Sequence, residues 1–114
     1  MATVEIAMAL PGLVLIMALA LWGVRVASVQ LTCTDAARSG ARAGARGESL
    51  SAVRDLVVRA VPAGATVRVW RNAATVQVDV SAEVQAPAAA GLPPLIVQAH
   101  AVAATEPGVP EAEG

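Results

Sequence analysis

The chain has 114 residues, of which 56% are hydrophobic and 2% aromatic, and its formal net charge is −1. Ala and Val supply most of the apolar residues and there is no Phe or Tyr, so any core must be built from small side chains. The near-zero charge argues against a nucleic-acid-binding surface. The single Cys excludes an internal disulfide and a cysteine-cluster metal site. With one His and no phosphate-binding glycine loop, we expect no catalytic residues, no cofactor and no metal, and hence not an enzyme.

Residues 1–25 predict a membrane-spanning helix. The segment 6–24 has no charged residue and, at about 1.5 Å per residue, is long enough to cross a hydrocarbon core of about 30 Å. Pro11-Gly12 lies inside it, so we expect a kink or local melting there. A cleavable secretory signal is the alternative, with residues 26–28 as a cleavage site, although the basic region that opens such signals is missing.

The same helix is predicted to continue over residues 26–47 as a stalk and to end at Gly47. Spacings of three and four residues run through both parts of the helix and keep one face in register. The predicted helix-packing face contains Gly12, Leu15, Leu19, Trp22, Ala36, Gly40 and Ala43. Small residues on it would let another helix or a sheet approach closely. The alternative is a smooth face opposite a solvated ridge of Arg38, Arg42 and Arg46. Cys33 is predicted to be a small buried hydrophobe.

Residues 48–105 predict a small α+β head outside the membrane. Ser49 is placed to cap a second helix over 50–61. The apolar period then changes from 3.6 to 2, which predicts strands at 66–71, 75–85 and 95–105 in an antiparallel sheet of about three strands. Residues 87–94 predict a loop without helix or strand. The acidic segment 106–114 predicts a disordered tail.

Side-chain alternation divides the second strand into two faces. The predicted buried face, which we expect to share a core with the second helix, contains Val76, Val78, Val80, Ala82 and Val84. His100 is expected at the surface or at an edge. Trp70 is expected to cap the sheet edge or to face a partner.

The N-terminal residues resemble a known family. Thr3-Val4-Glu5-Ile6-Ala7 leads into Leu10-Pro11, and Leu31-Thr32-Cys33 precedes an Ala-rich, Arg-rich run that ends at Gly47. Over about its first fifty residues the chain resembles, in an actinobacterial style, the TadE-like minor pilins or pseudopilins of the tight-adherence (Flp) type IV pilus system. The resemblance implies a basic leader removed by a prepilin peptidase and a glutamate at the fifth mature position. Glu5 matches that glutamate if Met1 is the first mature residue, which gives Met1 and Glu5 roles in processing and assembly.

The resemblance also implies a location and partners. It predicts a single-pass protein of the cell membrane, with its N-terminus on the cytoplasmic side and its head outside. The implied partners are the lipid bilayer, other pilin subunits and, if a leader is encoded upstream, a prepilin peptidase; no nucleic acid is expected. Arg25 and the Arg ridge follow the span, so the positive-inside rule predicts the opposite orientation. We expect the pilin orientation, with the compensating basic residues in an upstream leader. A secreted or signal-anchored extracytoplasmic domain with no filament role is the alternative.

Overall fold

A computed structural model describes residues 2–105 of the chain. In order, the elements are α1 (Ala2–Ala45), α2 (Leu50–Ala60), β1 (Thr66–Arg71), β2 (Thr75–Val84), a 3-10 turn (Ala88–Ala90) and β3 (Leu95–Ala104). The predicted α+β fold, with one long helix, a short helix and a three-stranded antiparallel sheet, is confirmed. The processing role predicted for Met1 and the disorder predicted for 106–114 concern residues that lie outside the described part.

Helix α1 is one continuous helix of 44 residues. It passes through Pro11 without interruption, so the predicted local melting is wrong. Proline removes one backbone hydrogen bond, and the bonds of the turns on either side hold the helix together. The helix ends as predicted at Gly47, whose φ of 102° is suited to glycine. Gly47 N–H donates to Gly44 O (3.1 Å) and Glu48 N–H to Ala43 O (3.3 Å), the two bonds of a Schellman motif.

Helix α2 begins at the predicted cap, because the Ser49 hydroxyl accepts a hydrogen bond from Ala52 N–H at 3.2 Å. It is amphipathic: Val53 and Val57 are buried, whereas Leu56, at the border of the buried side, is exposed. Its buried side faces the C-terminal part of α1 and the sheet.

The sheet has the order β1-β2-β3 with both neighbouring pairs antiparallel. The predicted alternation in β2 is confirmed, because all five residues of its predicted inner face are buried and belong to the core. The connection to β3, predicted to contain no helix, holds the 3-10 turn, so that prediction is wrong. Proline fixes the backbone at Pro87, and Gly91 closes the turn in the left-handed conformation with φ of 65°.

The C-terminal part of α1 forms one wall of the head. Its buried residues are Cys33, Ala36, Ala37, Gly40, Ala41, Ala43, Gly44 and Ala45. The two glycines lie against valines: a methyl group on Gly40 would be 2.5 Å from Val57 Cγ2, and one on Gly44 would be 2.6 Å from Val76 Cγ1. The core therefore continues across the boundary predicted between a stalk (26–47) and a head (48–105).

Three contacts fix the direction of the sheet relative to α1. Gly44 lies against Val76 and Gly40 against Val78, so β2 runs opposite to the helix. On the neighbouring strand, the Gln30 side chain donates to Gln98 O at 3.0 Å. The connection between β2 and β3 therefore lies at the end of the head from which the first half of α1 emerges, and the 3-10 turn touches α1. The molecule is elongated, with extents of 77 × 18 × 17 Å.

Candidate membrane span and assembly surface

The first half of α1 is long and apolar enough to cross a membrane. Core helices of soluble proteins can be as long and apolar but are mostly buried, whereas the most apolar 18 residues of α1 include no buried residue. Its exposed large side chains include Val4, Ile6, Met8, Leu10, Leu13, Val14, Ile16, Met17, Leu21 and Val24. Removing one such side chain from water is worth about 1.5–3 kcal/mol. An apolar array of this length therefore needs lipid or protein around it.

Glu5 lies in the first turn of α1 with an exposed side chain. A carboxylate there is favoured by the partial positive charge of the helix N-terminus. Among the described residues, no basic side chain lies within ion-pair distance of it. In lipid, such a carboxylate is costly unless it pairs with an opposite charge.

The structure divides the predicted helix-packing face into two groups. Ala36, Gly40 and Ala43 are buried against the chain's own sheet and second helix, which already provide the close approach that small residues allow. The second group is Gly12, Leu15, Leu19 and Trp22, in the projecting part of α1. A methyl group on Gly12 would meet nothing within 4 Å, and a shallow apolar groove beside it is lined by Ile6, Ala9, Leu10, Leu13 and Ile16.

The opposite side of the helix carries the arginine ridge. Arg38, Arg42 and Arg46 are all exposed. Arg46 forms an ion pair of 3.7 Å with Glu48, and both side chains are more than half exposed. Such a surface pair contributes at most about 1 kcal/mol. The arginine ridge is therefore solvated, as predicted. The opposite face of the helix packs closely on the sheet.

Cys33 is buried in the wall of the head. Burial raises the pKa of its thiol, because a thiolate would lose its hydration there. The neutral side chain therefore acts as a small hydrophobe, as predicted. Within residues 2–105, no group of three His, Cys, Asp or Glu side chains could hold a metal ion.

Arg71, which no sequence pattern singled out, holds the end of α1. Its guanidinium Nη2 donates to Gly44 O at 2.8 Å and to Glu48 O at 3.0 Å, and the side chain is buried. Carbonyls at a helix C-terminus lack partners within the helix, and a cation is favourable beside them. Alternation with Val67 and Val69 is the signal that places residue 71 on the inner face.

A second unpredicted arrangement lies on the outer face of the sheet. Arg68 lies over the Trp70 ring, 5.4 Å from its centroid, and the Trp70 and His100 rings are 6.1 Å apart. His100 Nδ1 is hydrogen-bonded to the Asp79 carboxylate. The exposure of His100 confirms the prediction for that residue. These contacts cross all three strands, so only the sheet register brings them together.

Comparison with known proteins identifies the family. The TadE-like protein family matches residues 1–42, which lie almost entirely within α1. The apoptosis inhibitor Rv3655c of Mycobacterium tuberculosis is 39% identical over 104 residues, covering 91% of this chain and 78% of that protein. The chain belongs to the TadE-like family.

Membership of the TadE-like family confirms the resemblance read from the N-terminal residues, and the mycobacterial relative agrees with its actinobacterial style. In this TadE-like protein, the matched segment contains both the bare apolar half of α1 and the first residues of the wall of the head. No solved structure matches the chain significantly.

Proposed function

We propose that this TadE-like protein is a membrane-anchored, non-catalytic subunit, a minor pilin or pseudopilin, that takes part in assembly of a Flp-type pilus. The observation that carries the proposal is the division of α1. One continuous helix has a bare apolar half and a half built into a folded head, and the family match falls on that helix.

In the proposed arrangement, α1 crosses the cell membrane once. The N-terminus lies on the cytoplasmic side and the head outside, where the protein meets other pilin subunits. If a leader exists upstream, a prepilin peptidase is a further partner. The continuous helix through residues 26–28 supports an anchor over the secreted alternative, because that cleavage site would lie inside a regular helix.

Subunit packing in this proposal uses only the projecting half of α1. The face of Ala36, Gly40 and Ala43 is covered by the head. A neighbour's helix therefore has access to the exposed Gly12 and Leu15 and, in part, to the half-buried Leu19 and Trp22. On leaving the bilayer, this half needs apolar protein surface in place of lipid. Axially offset helices of neighbouring subunits would supply it.

Glu5 is the proposed register device. If Met1 is the mature terminus, an axial offset brings each Glu5 carboxylate to the α-amino group of the next subunit. The pair neutralises two charges in an apolar surrounding, and buried polar pairs are known to fix register in helical assemblies.

The test is co-purification of Glu5 variants with the other pilus subunits. Glu5→Val should remain in the membrane fraction, because it removes a charge from the end of the span, but should lose co-purification. Glu5→Asp should retain part of the co-purification, because the negative charge remains and the side chain is only shorter. Normal co-purification of the Glu5→Val protein would contradict the role of Glu5.

The mature N-terminus separates the pilin from the secreted domain. Mass spectrometry of the membrane-bound protein should find Met1 as the first residue of the processed chain. A first residue near Val29 would support secretion instead.

A further inference from the structure

The connection between β2 and β3 has the composition of a buried segment but lies at the surface. From Val84 to Ala99 the chain has no charged residue. Leu92, Leu95 and Ile96 are nevertheless exposed, Ile96 at 61%. Loops in contact with water are usually polar, and a cluster of exposed large apolar side chains marks an interaction site.

The position of this segment along α1 follows from the contacts between helix and sheet. From Gly44 to Gly40 the helix rises about 6 Å, and from Val76 to Val78 the strand advances about 6.6 Å, so helix and strand run nearly side by side. The Gln30 contact with Gln98 continues this alignment toward the N-terminus.

Leu95, which precedes Gln98 on β3, lies at the level where the span ends. Leu95 lies three residues before Gln98, about 10 Å along β3. The same distance along α1 is about seven residues, which leads from Gln30 to Gly23, in the last turn of the charge-free segment 6–24. Leu92 and the 3-10 turn precede Leu95, and this turn touches α1. The exposed apolar residues therefore lie at the level where α1 would leave the hydrocarbon.

We propose that the segment 85–96 docks on the lipid surface around α1, with Leu92, Leu95 and Ile96 inserted at the level of the headgroups. This inference rests on the proposed membrane anchor. Its occupant is lipid because the patch lies at the level where the span ends, is uncharged, and is level with Trp22, a residue type favoured at membrane interfaces. Such docking would give the head a fixed tilt on the membrane before assembly.

The test measures the depth of spin labels in the full chain, reconstituted in vesicles of phosphatidylcholine and phosphatidylglycerol. Labels are attached to Leu92→Cys, Val102→Cys and Leu13→Cys in separate proteins. Val102 is the matched control, because it is exposed at 52% on the outer face at the other end of β3. The buried thiol of Cys33 does not compete for label in the folded protein. Collision rates with oxygen, which concentrates in lipid, and with a water-soluble nickel chelate report the depth of each label.

We expect the label at 92 to collide more often with oxygen and less often with the nickel chelate than the label at 102. The label at 13 should lie deep in the hydrocarbon. A label at 92 as exposed to nickel as that at 102, with 13 still deep, would overturn the docking and leave the anchor intact. A label at 92 shielded from both reagents would mean that protein covers the patch, which also overturns the proposal. A label at 13 in water would remove the anchor and the docking together.

Discussion

At the residue scale, two glycines of α1 determine how closely the helix approaches α2 and the sheet. Glycine in a helix interior costs up to about 1 kcal/mol relative to alanine. Gly40 and Gly44 lie where an added methyl group would overlap Val57 and Val76, respectively. Valine is stiff at χ1, so it cannot easily move aside. The close approach brings stacked valines of β2 onto the helix backbone.

Gly44→Ala should therefore destabilise the head even though it improves helix propensity. Overpacking costs about 1–3 kcal/mol, so we expect a net loss of about 1 kcal/mol in urea unfolding. Adding Val76→Ala should reduce the penalty that Gly44→Ala causes, because it removes the overlapping methyl groups. Gly23→Ala is the matched control, since nothing lies within 4 Å of the added methyl group. Equal effects of the two glycine substitutions would contradict the packing.

The inner face of β2 gives a second prediction at this scale. Val78 of β2 is fully buried and lies against Gly40 of α1. Val78→Asp should unfold the head, because an unpaired buried carboxylate costs more than a small domain can offset. Val102→Asp on the exposed outer face should change stability by no more than about 0.5 kcal/mol. Asp79→Ser, which loses only an exposed pair with His100, should cost at most about 1 kcal/mol. Circular dichroism of the three variants checks the order, and a folded Val78→Asp protein would refute it.

At the scale of elements, α1 serves two environments. Its first half is bare and apolar, whereas its C-terminal part supplies small residues to a core that valines of α2 and valines and alanines of the sheet complete. Arg71 joins the end of α1 to β1 through the carbonyls of Gly44 and Glu48. The head is therefore a two-layer arrangement in which both helices cover one face of the sheet.

A pair of fragments tests this division. Residues 26–105 should fold in water with a cooperative thermal transition, because they contain every residue of the described core. Residues 48–105 should not, since removal of Cys33 to Ala45 exposes the inner face of a three-stranded sheet that α2 alone covers in part. Near-ultraviolet circular dichroism and calorimetry distinguish the two. Cooperative folding of residues 48–105 would instead support a head that is independent of α1.

At the scale of the whole molecule, orientation is decided by two opposing influences. Arg25, Arg38, Arg42 and Arg46 follow the span and favour a cytoplasmic head. The proposed pilus role requires the head outside. The docking of segment 85–96 on lipid is compatible with either orientation, so it does not decide between them.

Labelling in intact cells decides the orientation. A membrane-impermeant maleimide should modify Val102→Cys from outside, because residue 102 is exposed and far from the span in the fold. The unsubstituted chain is the control, since Cys33 is buried. Labelling that appears only after cell lysis would place the head inside, as the positive-inside rule predicts.

The sequence by itself determined the features that arise from local periodicity and local chemistry. The charge-free segment 6–24, the buried faces of α2 and β2, the Ser49 cap and the Gly47 end all follow from the spacing of residues that are near one another in the chain. The N-terminal motif by itself also indicated the TadE-like family.

Only the tertiary structure decided what each face contacts. Periodicity placed Ala36, Gly40 and Ala43 on one side of α1, but it could not tell a neighbouring subunit from the chain's own sheet, because both need the same small residues. The Arg71 contact with the end of α1 and the Asp79 contact with His100 join residues far apart in the sequence. The level of Leu92 relative to the span likewise depends on the direction in which β2 runs along α1. Strand alternation does not specify this direction, because the same residues are buried whether the strand runs parallel or antiparallel to the helix.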